Sequence, residues 1–162
     1  MVDKADFSPV EWKKLIQAPL LAGFAVTAAD PSGFVGTLEE AFSEARSLAE
    51  AKTSGSGLIK TIAEEILTSS GRAEAREGIR TITQGAKLDE IKGRALDALK
   101  ETTAILDTKA PGESKAFKSW LAQIAEKVAE AGTEGGFLGF GGIKVTDKER
   151  ATLAEISTIL GV

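Results

Sequence analysis

The chain has 162 residues, with 24 acidic against 20 basic side chains, a formal net charge of −4, and no His, Cys or Tyr. Without His and Cys there is no Ser-His-Asp triad, thiol nucleophile, zinc finger, iron–sulfur ligand set or histidine pH switch. The acidic balance argues against a nucleic-acid partner, and 43% apolar with 27% charged residues is the mix expected of one soluble globular domain over 1–162.

Ser8-Pro9-Val10-Glu11 combines an N-cap serine, a proline at the first helical position and a capping-box glutamate. The stripe Trp12, Leu15, Ile16, Leu20, Phe24 then follows helical spacing, with Pro19 expected to kink or loosen the helix before it ends near Asp30-Pro31-Ser32-Gly33. Lys13-Lys14 followed by apolar Leu15 to Ala29 has the outline of a signal peptide. Asp3, Asp6 and Glu11 cancel the basic flank, and Gln17 and Pro19 interrupt the run, so it is read as a helix of the mature protein. The run also falls short of the ~20 apolar residues of a membrane span, so no transmembrane helix is expected; membrane association is disfavoured, and peripheral attachment through Phe137, Leu138 and Phe140 stays open as a third class. The lack of Cys fits a cytoplasmic location.

Thr37-Leu38-Glu39-Glu40 is a second capping box, opening a helix with Leu38, Ala41, Phe42, Ala45 and Leu48 on one face. Thr53 to Gly57 is a break. Leu58, Ile59, Ile62, Ala63, Ile66 and Leu67 read as a third helix, closed by Ser69-Ser70-Gly71. Arg72 to Gln84 is a weaker stretch, with Gly78 inside it and Ile79 and Ile82 as anchors. Leu88, Ile91, Ala95, Leu99 and Leu106 mark a longer helix that ends at Ala110-Pro111-Gly112. Phe117, Trp120, Leu121, Ile124, Val128 and Ala129 make a broad apolar face, with Gly132 as the expected stop. Thr146-Asp147-Lys148-Glu149 is a third capping box, and Leu153, Ile156, Ile159 and Leu160 follow before Gly161. The expected fold is all-α, a bundle of about six or seven helices.

The two ends of the chain share an order: a Trp-bearing Ala-rich helix, a Gly- and Phe-containing loop, a Thr capping box and a helix. This suggests two related hairpins, 8–52 and 113–161, joined by helices over 58–107. Ala25-Val26-Thr27-Ala28-Ala29-Asp30 with its following Gly and acidic helix start resembles the loop of tellurite-resistance TerB-like proteins. So does Ala129-Glu130-Ala131-Gly132 with the later Asp147, Glu149 and Leu153 to Gly161. The resemblance implies an all-α fold of two similar halves, a stress-related role and acidic loops linked to divalent cations. Where the family carries Asp-Gly, the two loops here read Asp-Pro-Ser-Gly and Glu-Gly-Gly-Phe. Glu134 to Glu149 is also similar to the C-terminal signature of small bacterial proteins with no assigned activity.

The most unusual stretch is Gly135, Gly136, Phe137, Leu138, Gly139, Phe140, Gly141 and Gly142. Its glycines allow consecutive N–H groups to form an anion nest. Its apolar side chains either turn inward and pin the loop to the bundle or anchor in a partner, a ligand cleft or a membrane interface. It is the candidate partner or ligand loop. Gly55-Ser56-Gly57-Leu58-Ile59-Lys60-Thr61 has the wrong lysine spacing for a phosphate loop and reads as a linker, although a bare helix N-terminus there would attract an anion.

Carboxylates alone can ligate Mg or Ca. Asp30, Asp147, Glu149, Glu74 and Glu77 are the candidates, and no other cofactor is implied. Glu74-Ala75-Arg76-Glu77 resembles one half of the paired acidic motifs of all-α nucleotide pyrophosphatases, without the Glu-x-x-Asp half. Glu40 and Glu44 also share a helix face. Nearby Arg46, Arg72, Arg76 and Arg80 make solvated ion pairs an adequate account of these acids, and the helix dipole accounts for Asp147 and Glu149. Trp12 and Trp120 are expected in the core. The chain therefore reads as a non-catalytic binding protein acting through self-association or a protein partner. The alternative is a carboxylate-metal hydrolase of a phosphate ester or nucleotide.

Overall fold

The computed structural model describes residues 2–29, 50–51, 55, 57–134 and 145–162. Six α-helices and no strand occur among the described residues: α1 (Pro9–Ala29), α2 (Gly57–Ile66), α3 (Ser69–Thr83), α4 (Leu88–Lys109), α5 (Pro111–Glu134) and α6 (Asp147–Leu160). A short 3-10 turn, Lys4–Asp6, precedes them. The all-α expectation holds. The second capping box at Thr37, the apolar face from Leu38 to Leu48, and the loop that follows the Trp-bearing helix in each half of the suggested 8–52 and 113–161 repeat lie outside the described residues.

The bundle is organised around α1, which packs against all five other helices. Ala18 through Val26 are buried without interruption, so the helix has no solvent face along that length. A helix apolar on every side has to be enclosed, and the other five supply the enclosure. Leu15, Leu58, Ile62, Leu99, Leu106, Phe117, Leu121, Ile156 and Leu160 complete the interior. The helix runs unbroken through Pro19.

Local chemistry starts the helices. Ser8 N–H donates to Glu11 Oε2 at 2.7 Å and Glu11 N–H donates to Ser8 Oγ at 3.3 Å, closing the expected box. Thr146 and Glu149 make the same reciprocal pair at 2.7 and 3.2 Å, and Gly161 ends α6 in the left-handed region at φ 72°.

Two expected boundaries are overturned. Ser69-Ser70-Gly71 does not close α2; it is the first turn of α3, because Thr68 Oγ1 accepts the Gly71 N–H at 3.0 Å as an N-cap. Gly71 belongs there because a Cβ would lie 1.8 Å from the Glu65 carbonyl oxygen. Gly132 does not stop α5, which continues to Glu134. At the α4–α5 corner, Pro111 is the first residue of α5, where its missing N–H leaves no bond unmade.

Candidate functional site

The eight-residue loop Gly135–Gly142 and Asp30 lie outside the described residues. Of the remaining acidic candidates, Glu74, Glu77 and Glu149 have structural partners. Glu74 accepts from Gln17 Nε2 at 2.8 Å and pairs with Lys13 at 3.3 Å, tying α3 to α1. Glu77 pairs with Arg80 at 3.4 Å on its own helix. Glu149 closes the α6 capping box, and Asp147 stands exposed in the same first turn, where the helix dipole favours an acid. No group of three acidic side chains able to hold a metal ion forms among the described residues.

The helix start at Gly57 is also occupied. A carboxylate oxygen of Glu113, on α5, accepts the Leu58 N–H, so the anion drawn to this N-terminus comes from the chain itself. Gly57 sits at φ 56°, a turn that calls for glycine, and a Cβ there would press on Glu113 Oε2, the movable end of a side chain, and disturb the cap.

A nearly buried lysine meets an exposed carboxylate at the α4–α5 corner. Lys118 Nζ and Ser114 Oγ each donate to Asp107 Oδ1 at 2.6 Å, and the Lys118 side chain is only 11% exposed. The Lys118 hydrogen bond, reinforced by that of Ser114, holds the Asp107 carboxyl below its ordinary pKa. Glu11 is likewise lowered, first by the backbone N–H of Ser8, then by its hydroxyl, with Lys109 adding a smaller attraction.

The two tryptophans meet the expectation of burial, at 3% exposure for Trp12 and 7% for Trp120, yet their polar atoms differ. Trp12 Nε1 donates to Glu65 Oε2 at 2.8 Å. Trp120 Nε1 is buried with no acceptor among the described residues, while its ring meets Phe117 edge-on at 5.2 Å. Trp120 lines a cleft of about 280 Å³ between α2 and α5, together with Ile59, Ala116, Ser119, Gln123 and Lys127. Lys127 pairs across the cleft rim with Glu50 at 3.0 Å. A second cleft, also about 280 Å³, lies between α1, α3 and α4; its charged lining is engaged, Lys14 with Glu101 and Arg94 with the Ile82 and Gln84 carbonyls.

The apolar spacing predicts Trp120 in the core but carries no sign of its unpaired donor, which only the fold determines. No described helix is long and apolar enough to cross a membrane. No protein-family model, curated protein or solved structure matches the chain.

Proposed function

We propose that this chain is a non-catalytic helical binding protein, acting through self-association or a protein partner. The observation that supports the reading is the engagement of Glu74. Its two oxygens are taken by Gln17 and Lys13 of α1, so the acid best placed to begin a metal site is a strut between helices. The TerB-like resemblance supports a stress-related setting and a link to Mg or Ca, and the lack of Cys fits a cytoplasmic location.

Light scattering over a wide concentration range tests self-association, and a concentration-dependent mass is the expected result. Thermal unfolding with Mg, Ca and Mn tests the ion link, since an ion that binds only the folded state raises the melting temperature. A fixed monomer that releases phosphate from a nucleotide or phosphate ester when an ion is added would overturn the reading in favour of the carboxylate-metal hydrolase. A Glu74→Gln variant would then lose that activity.

A further inference from the structure

The three helices around the second cleft are tied in pairs by polar contacts. Lys14 of α1 pairs with Glu101 of α4. Arg94 of α4 donates to the Ile82 and Gln84 carbonyls at the end of α3, at 3.4 and 3.1 Å. Gln17 of α1 donates to Glu74 of α3 at 2.8 Å. These contacts fix the charged ends: the Arg94 guanidinium stands over the end of α3, and the Lys14–Glu101 pair lies about two turns further along α4. Between them the lining is apolar, with Leu21, Ile82 and Ala98. The α3 wall is bare at Gly78, where a Cβ would lie 2.9 Å from Gln17 Cβ.

Arg94, Asp97 and Glu101 are spaced three and four residues apart, so they share one face of α4. Two carboxylates four positions apart repel one another. Lys100 takes Asp97 Oδ1 at 3.1 Å and Lys14 takes Glu101 Oε2, while Asp97 Oδ2 and Glu101 Oε1 have no partner among the described residues. The Arg94 guanidinium likewise carries more donors than its two carbonyl bonds use. Both signs of charge are therefore on offer beside an apolar surface, the usual make-up of a small-molecule site.

We propose that this cleft binds one small apolar α-amino acid as its zwitterion, the ammonium on the Asp97 and Glu101 carboxylates, the carboxylate on Arg94, and the side chain against Leu21, Ile82 and Ala98. Two acids and two bases line the cleft, so a ligand with a single charge meets repulsion as well as attraction, and a ligand with both meets an opposite charge at each end. The volume, about 280 Å³, falls just below the roughly 300–1,000 Å³ of ligand pockets, which suits one amino acid and not a peptide.

The test follows the Gly78, Thr81 and Ala98 amide resonances of the ¹⁵N-labelled protein during titration with L-leucine. Glycine lacks the apolar tail, N-acetyl-leucine lacks the ammonium, and leucinamide lacks the carboxylate. The expected result is a saturable millimolar response to leucine, none to glycine, and a stationary Ala116 amide. N-acetyl-leucine and leucinamide should each bind about two- to fivefold more weakly, the range for losing one solvated charge pair. Asp97 is 70% exposed, so Asp97→Asn keeps the fold; it should weaken leucine by the same factor without weakening N-acetyl-leucine. Thr81→Trp, at an exposed position on α3, fills the cleft and abolishes the response, and Thr81→Leu serves if that variant does not fold. No saturable response to leucine, an equal response to any of the three analogues, leucine binding unchanged by Asp97→Asn, or a response that survives filling the cleft would each overturn the proposal. None of these outcomes bears on the mass measured by light scattering, so the two readings fail separately.

Discussion

The indole Nε1 of Trp12 donates to Glu65 Oε2 at 2.8 Å, joining the start of α1 to the end of α2 across 53 residues of chain. Lys4 Nζ holds the other carboxylate oxygen at 2.9 Å and sits 5.5 Å from the Trp12 ring centre, and Phe7 packs on the same ring at 5.6 Å. The segment before α1 is therefore fastened to α2 by one carboxylate and one indole. Trp12→Phe should destabilise the fold by about 1–2 kcal/mol, the range for a hydrogen bond to a charged group that is partly solvated. Trp120→Phe removes a donor that is unpaired and should cause a clearly smaller loss. Urea unfolding of the two variants side by side checks the difference.

Glu113 and Gly57 act as a pair. Removing the cap with Glu113→Ala should lose about 1 kcal/mol, as for other N-cap carboxylates. Gly57→Ala adds left-handed strain and a collision with the same carboxylate, for a loss of about 1–3 kcal/mol. Since the collision disappears when Glu113 is shortened, the double variant should lose less than the sum of the two single losses. A double-mutant cycle by denaturant unfolding measures that coupling.

Two glycine-to-alanine changes should have opposite signs. At Gly71 the new Cβ would meet the Glu65 carbonyl at 1.8 Å, so α3 has to pull away from α2 and the expected loss is about 3 kcal/mol or more. At Gly93, exposed in α4 with open space around it, alanine should raise stability by about 0.5–1 kcal/mol through helix propensity alone. Melting temperatures that fall for one variant and rise for the other are the check.

Asp107 gives the fold an acid-sensitive corner. Its folded pKa lies below the unfolded value, so its contribution is fully present above the unfolded value, near 4, and is lost as pH falls through the folded one. Asp107→Asn should lower stability at neutral pH, because Lys118 stays buried without its counter-charge. The same variant should show a shallower decline in stability below about pH 4. Unfolding free energies measured at several pH values follow both effects.

Features written within a few residues of one another were legible in the sequence. The boxes at Ser8–Glu11 and Thr146–Glu149 are local patterns whose partners sit three positions apart, and both form. The long stripes of α4 and α5 were legible for the same reason. Ser69-Ser70-Gly71 was misread because its glycine has the look of a helix stop, whereas it answers the approach of the Glu65 carbonyl and follows the Thr68 cap. The acidic candidates misled in a related way. Glu74 stands out on its helix as a ligand, and only folding brings Gln17 and Lys13 to it. Glu113 with Leu58, Glu65 with Trp12, and the unpaired donor of Trp120 all depend on contacts between distant parts of the chain, or on their absence, and leave no spacing to read.

The enclosure of α1 alters what keeps it in register. An amphipathic helix is oriented by polarity, because rotation would drive charge inward. Over Ala18–Val26 that guide is missing, and the azimuth must be set by bulk instead: Leu20, Leu21 and Phe24 against Ala18, Ala22, Gly23 and Ala25. Exchanging Leu21 and Ala22 would leave composition and mean hydropathy untouched, yet would put a large side chain where a small one fits and a void where a large one belongs. Such a swap should blur the single ordered packing of the six described helices, because each of the other five rests on the steric profile of this one segment's helix.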